Sequence, residues 1–181
     1  MNLADIAARS RIDGLSRGIP AGTEPLELDR VGERGWVVPN EDVTLPVMTV
    51  SETAFAHNIE VINRYAGQQG VYLCAHGKTM MAPQLLEQVL AGSRTVGLCA
   101  ATVTQAGVMA GCGAGTVFIA NQVAGRANLA RLAELMGQYP QSQFLLLVDS
   151  IAGVDQLVEH GAAKLPAGSR FRVLVEVGTP G

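Results

Sequence analysis

Lys78 is an amine in an unusual place. It follows the apolar run Val71-Tyr72-Leu73-Cys74-Ala75, lies within His76-Gly77-Lys78-Thr79, and precedes Pro83 and the helical pattern Leu85, Leu86, Val89, Leu90. The junction of a buried strand and a helix is a poor site for a solubilising charge. Loss of hydration at such a site favours the neutral amine, and a neutral amine can attack a carbonyl to form a Schiff base. A lone lysine after a strand can equally be a solvated surface group, and spacing alone does not separate the two. If strand alternation persists to the lysine, Tyr72, Cys74, His76 and Lys78 share one face, with His76 beside Lys78.

The other candidates are weaker. Cys74, Cys99 and Cys112 are odd in number and form no C-x-x-C pair. They read as small hydrophobes in a reducing cytoplasm, and no metal site is expected from them. Gly111-Cys112-Gly113-Ala114-Gly115 could cradle a phosphate, but it precedes a strand, so a helix C-cap and turn is the better reading. His57 sits among polar neighbours and reads as surface. His160 precedes Gly161 near a helix end, where it suits the helix dipole. Glu176 falls in line with Leu174 on one strand face. If it points inward it needs a partner; otherwise it is an ordinary charge at a strand end.

The elements that would position these groups repeat. Residues 1–45 are irregular, with a short helix near Leu3-Ile6, and form an N-terminal arm. After Pro46, Val47–Val50 looks like a strand, and Ser51 can cap a helix with the stripe Phe55, Ile59, Ile62, Tyr65. Strands are then expected at Val71–Ala75, Thr95–Cys99, Thr116–Ala120, Phe144–Val148 and Phe171–Val177. Helices lie between them, one opened by the T-x-x-Q capping box Thr102-Val103-Thr104-Gln105 and others striped by Leu129, Leu132, Leu135, Met136 and by Ile151, Val154, Leu157, Val158.

Strand starts roughly 21 to 28 residues apart suit βα units of a parallel sheet, and continuous apolar strands suit burial on both faces. A doubly wound open sheet and part of a (β/α)8 barrel both fit. The sequence stops directly after a strand, which favours five strands of a barrel that needs about 250 residues when whole, so the expectation is an incomplete barrel over residues 46–181. In either architecture ligands bind at the C-terminal strand ends. That rule selects His76 and Lys78, Ala100 to Thr102, Asn121 and Gln122, Asp149 and Ser150, and Glu176 to Thr179.

The totals exclude several classes. With 181 residues, 48% hydrophobic and 16% charged, the chain is core-rich. A net charge of −3 and a pI of about 5.6 give no basic field for nucleic acid or an anionic membrane. No run approaches the roughly 20 apolar residues of a membrane span. Met1 to Arg17 lacks the apolar core of a signal peptide, so a cytoplasmic protein is expected.

His76-Gly77-Lys78-Thr79 followed by Met81-Ala82-Pro83-Gln84 resembles the cofactor-lysine segment of the fold-type III pyridoxal phosphate enzymes. More narrowly it is similar to the D-serine dehydratase and D-threonine aldolase-like group, particularly its amino-acid deaminases, whose barrel is that of the alanine racemase N-terminal domain. Ala101-Thr102-Val103 with Gln105-Ala106, Ala120-Asn121-Gln122-Val123 with Gly125, Val148-Asp149-Ser150 and Glu176-Val177-Gly178 agree in order. The resemblance spans roughly residues 45–181 and is most specific at the lysine.

It implies that Lys78 forms the Schiff base with pyridoxal 5'-phosphate and acts as a general base once a substrate displaces it. It also implies that His76, Asn121 and Glu176 lie around the cofactor. The implied reaction of the full-length parent is deamination or dehydration of a D-amino acid, giving a 2-oxo acid and ammonia. A racemase, a D-threonine aldolase-type lyase or a non-catalytic pyridoxal phosphate-binding protein are the alternatives. Glu176 takes the place of a lysine that alanine racemases carbamylate, and would orient an arginine just past Gly181. Val47–Val50 would join a second, β-rich domain instead of the barrel.

Met80 and Met81 depart from relatives that carry a second histidine there. The zinc ligands and phosphate-binding loops of such enzymes belong to later segments, so this stretch by itself is expected to be inactive. An amino-acid substrate is the expected small-molecule partner, with a homodimer of the full-length protein as a further expectation.

Overall fold

A computed structural model describes residues 9–178. The chain forms two compact units, one up to Ala56 and one from His57. In the first, β1 (Arg11–Ile12) and β2 (Leu26–Glu27) pair antiparallel, followed by 3-10 turns at Leu28–Arg34 and Val38–Asn40. Leu26 is its one buried hydrophobic side chain among the described residues. The expected helix near Leu3-Ile6 lies outside the described residues.

Two expectations near the junction fail. Val47–Val50 forms no strand: it finds no ladder partner among the described residues, and Met48 is 92% exposed. Helix α1 (Glu52–Gln68) does form, with Ser51 Oγ accepting from the Ala54 N–H at 3.3 Å. Its buried residues, however, are Asn63 and Ala66, while Ile62 and Tyr65 of the expected stripe are 49% and 58% exposed. A polar contact sets this. The Asn63 amide accepts from the Arg94 N–H at 2.6 Å and donates to the Ile59 carbonyl at 2.9 Å, which turns the Asn63 side inward.

The second unit is a strand–helix alternation: β3 (Leu73–His76), α2 (Pro83–Leu90), β4 (Thr95–Ala100), α3 (Val103–Gly111), β5 (Thr116–Gln122), α4 (Arg126–Gln138), β6 (Gln143–Val148), α5 (Ile151–Gln156) and β7 (Arg172–Val175). A π turn at Leu157–Gly161 extends α5. The strands form one parallel sheet in the order β3-β4-β5-β6-β7. β3 starts two residues later than the apolar run suggests, because the Val71 N–H closes the end of α1 on the Ala66 carbonyl at 3.0 Å. Gly113, at φ 86°, ends α3 in the left-handed conformation that glycine adopts without cost. The glycine-rich segment is thus a helix cap and turn.

Sequential strand order and one-sided helices decide between the two architectures. A doubly wound sheet reverses its order and carries helices on both faces; here the order never reverses. Leu98, Ala100, Val117, Ile119, Phe144, Leu146 and Val148 pack in one core with Leu86 of α2, Met109 of α3 and Leu129, Leu132 and Leu135 of α4. Each of these side chains larger than alanine contributes roughly 1.5–3 kcal/mol by leaving water. The alternate residues Cys74, Phe118, Leu145 and Leu147, on the other face, are only half-buried. The arrangement is five consecutive strands of a (β/α) barrel.

The stripe expected on α5 is also corrected. Leu157 is buried, but Ile151 and Val158 are 81% and 64% exposed, because α5 lies beside the edge strand with no further helix among the described residues to cover it.

Candidate functional site

β3 delivers Lys78. Its last residue, His76, is paired in register with Cys99 of β4 and is exposed. The strand stops there, so the expected alternation does not reach the lysine: Tyr72 precedes the strand and Lys78 lies in the turn after it. Gly77 faces the helices, where an added Cβ would come within 2.9 Å of Leu86 Cδ2 and of Met109 Cε. A side chain there would require the ends of Leu86 and Met109 to shift. The turn is closed by the Met81 N–H on the Gly77 carbonyl at 3.2 Å, and Pro83 then opens α2 at a position that needs no N–H donor. Lys78 itself is half-buried.

The second cluster comes from β5 and β7. Between Ile119 and Gln122 the β5–β6 register shifts; such a bulge re-aims side chains at a strand end. Asn121 is exposed there, with Oδ1 accepting from the Gln122 N–H at 3.1 Å. Gln122 faces the same side as Leu147 and Leu174, and its Nε2 donates to Glu176 Oε2 at 2.6 Å. The Glu176 N–H in turn bonds the Val148 carbonyl at 2.8 Å. Glu176 does fall in line with Leu174, and its partner is the amide of Gln122, itself one of the residues at the C-terminal strand ends. Thr179, at the end of the expected set, lies outside the described residues.

Beside these residues, a cavity of about 260 Å³ opens at the C-terminal ends of β5 and β6, lined in part by Gln122, Leu147, Asp149, Ser150 and Gln156. A larger one, about 660 Å³ with Arg170 and Arg172 in its wall, lies at the N-terminal ends of β6 and β7, away from Lys78.

The structure therefore brings Gln122 and Glu176 together, with Asn121 adjacent. Among the described residues no hydrogen bond or ion pair joins them to His76 or Lys78, which leave the other edge of the sheet, four strand spacings of about 4.8 Å away from β7. The thiols do not form a site. All three are free, Cys99 is fully buried, and burial pushes the Cys74 and Cys112 thiols up from their ordinary range. No group of metal-ligating side chains occurs among the described residues, and no described helix is long and apolar enough to cross a membrane.

A single amine at the ligand-binding end of a parallel (β/α) barrel sheet defines the class of site. No family model matches the chain, but individual proteins do. A D-threonine aldolase from Arthrobacter sp is 29% identical over 140 residues, 77% of this chain and 35% of that protein. The crystal structure of D-threonine aldolase from Filomicrobium marinum superposes with a TM-score of 0.68 at 31% identity, over 76% of this chain and 35% of that one. An alanine racemase-like protein from Idiomarina loihiensis gives 0.59 at 25% identity, over 70% of this chain and 32% of that one. The chain spans about a third of the length of these relatives. The matches support a superfamily shared with D-threonine aldolase and alanine racemase-like proteins, and the barrel is of that type. They do not single out the D-serine dehydratase-like group.

Proposed function

We propose that the chain is part of a pyridoxal 5'-phosphate-dependent lyase acting on D-amino acids, with Lys78 as its cofactor lysine. The observation that carries this is positional. The chain has two lysines, Lys78 and Lys164; Lys164 sits in the exposed turn after α5, and only Lys78 stands at a C-terminal strand end. The donor set fits the aldehyde end of the cofactor: one primary amine, half-buried, in a turn held on several sides.

When bound, the cofactor would supply the electron sink for bond cleavage beside the amino group. The chain's own groups would do the rest. The Lys78 amine would hold the aldehyde end of the cofactor, and its Nζ would serve as the base for the substrate's α-proton. His76 offers a ring at the same strand end, and the Asn121 amide a donor and an acceptor. Glu176, fixed by Gln122, would orient a cationic group at the mouth.

Two lyase readings remain level: deamination of the D-serine dehydratase kind, and aldol cleavage of the kind named for two of the relatives. A racemase on the same fold is a third outcome. The experiment uses the full-length protein. Pyridoxal phosphate is added, the product is reduced with borohydride, and the labelled lysine is mapped. Label at Lys78, absent in Lys78→Ala, is the expected result; label elsewhere or none sinks the assignment. D-serine yielding pyruvate and ammonia then marks a deaminase, D-threonine yielding glycine and acetaldehyde an aldolase, and L/D interconversion a racemase. A labelled protein that turns over nothing is a carrier.

A further inference from the structure

Gln105 makes bonds that its own helix does not need. Its main-chain N–H ends on Thr102 Oγ1 at 3.2 Å, the ordinary cap of α3. Its side chain then leaves the helix in two directions. Oε1 accepts from the Ala101 N–H at 2.8 Å, one residue before the position a capping box normally serves. Nε2 donates to the Lys78 carbonyl oxygen at 3.4 Å, across 27 residues of sequence. The amide thus ties the end of β4 to the turn after β3.

That turn is constrained at further points. Gly77 lies close to the side-chain ends of Leu86 and Met109. Met81, with φ 41°, holds a left-handed conformation unfavourable for any residue with a side chain. Such residues persist where their surroundings over-determine them, and they gather at functional sites. A cap alone does not account for the Nε2 contact. Glutamate serves as well as glutamine at this helix position, yet a carboxylate cannot donate to a carbonyl.

We propose that Gln105 is a positioning residue for Lys78: its Nε2 donor fixes the main chain from which the lysine amine is aimed. The inference rests on Lys78 being the cofactor lysine. A carbonyl held from α3 fixes the lysine backbone relative to β4, and in oriented reactions a displacement of about 1 Å costs on the order of a hundredfold in rate.

Gln105→Glu separates the two halves of the amide, since it keeps the cap acceptor and loses the donor. In the full-length protein it is compared with wild type, Gln105→Leu and Lys78→Ala by three measurements. These are the thermal midpoint, hydrogen exchange at the Met81 amide without cofactor, and the pH profile of pyridoxal phosphate labelling at Lys78 after borohydride reduction. The expected result for Gln105→Glu is a midpoint close to wild type, Met81 exchange faster by about fivefold, a half-labelling concentration raised by about fivefold, and a displaced pH profile. Gln105→Leu loses midpoint as well. Wild-type exchange, labelling and pH profile in Gln105→Glu overturn the positioning role and leave Lys78 standing. A wild type that takes no label at Lys78 overturns the reading of the lysine, and the positioning role falls with it.

Discussion

The two faces of the five-stranded sheet come from the same strands, one residue out of step. On the helix side of β6, Phe144, Leu146 and Val148 are buried, whereas Leu145 and Leu147 on the other side are half-buried. The first face is closed by side chains from α2, α3 and α4. The second carries candidate site residues: His76, Gln122 and Glu176 all share its parity. Core residues and candidate site residues are thus segregated by the two-residue repeat of a strand. Residues that hold the fold and residues free to meet a ligand alternate along one chain.

The contrast predicts different costs for neighbouring substitutions in this 181-residue chain. Leu146→Ala empties a position that is 1% exposed and should cost about 2–5 kcal/mol in urea unfolding. Leu147→Ala, one residue on, should cost roughly 1 kcal/mol, since less apolar area leaves water there. Equal costs would mean that the second face is covered in solution and would break the comparison.

A smaller effect probes the second face through its thiols. Cys74 and Cys99 share that face on adjacent strands, but Cys99 is 1% exposed and Cys74 half-buried. Alkylation in the folded state should therefore modify Cys74 first. Because burial raises the Cys74 thiol above its ordinary value of 9.0, its rate should still climb with pH where a free thiol has levelled off. The linkage has a definite sign. A raised folded pKa gives stability that is present below the ordinary thiol range and lost as pH rises through the folded value.

Much of this arrangement was legible in the sequence, for a physical reason. Helix-side strand residues must be apolar whatever they touch, so β4, β5 and β6 appear as apolar runs within a residue or two of their true ends, and Thr102 caps α3 as its spacing suggests. What depends on a partner was not legible. Val47–Val50 has the composition of a strand and no ladder to join among the described residues. The stripe of α1 assumes a neighbour on the wrong side, and that of α5 assumes a covering helix absent among the described residues. At the site, the parity of Glu176 followed from Leu174, but its bond to Gln122 spans 54 residues and depends on a bulge in β5. Gln105 was visible as a cap and invisible as a clamp, because the carbonyl it reaches belongs to another turn of chain.

The buried Asn63 carries a consequence of another kind. Apolar contacts are nearly indifferent to a helix rolling about its axis, since one methyl replaces another at little cost. An amide is directional: Asn63 meets the Arg94 N–H, the Ile59 carbonyl and, at 3.5 Å, the Thr95 hydroxyl only at one angle of roll. It therefore acts as a key in a slot, fixing the rotational phase of α1 against the sheet and deciding that Ile62 and Tyr65 look outward.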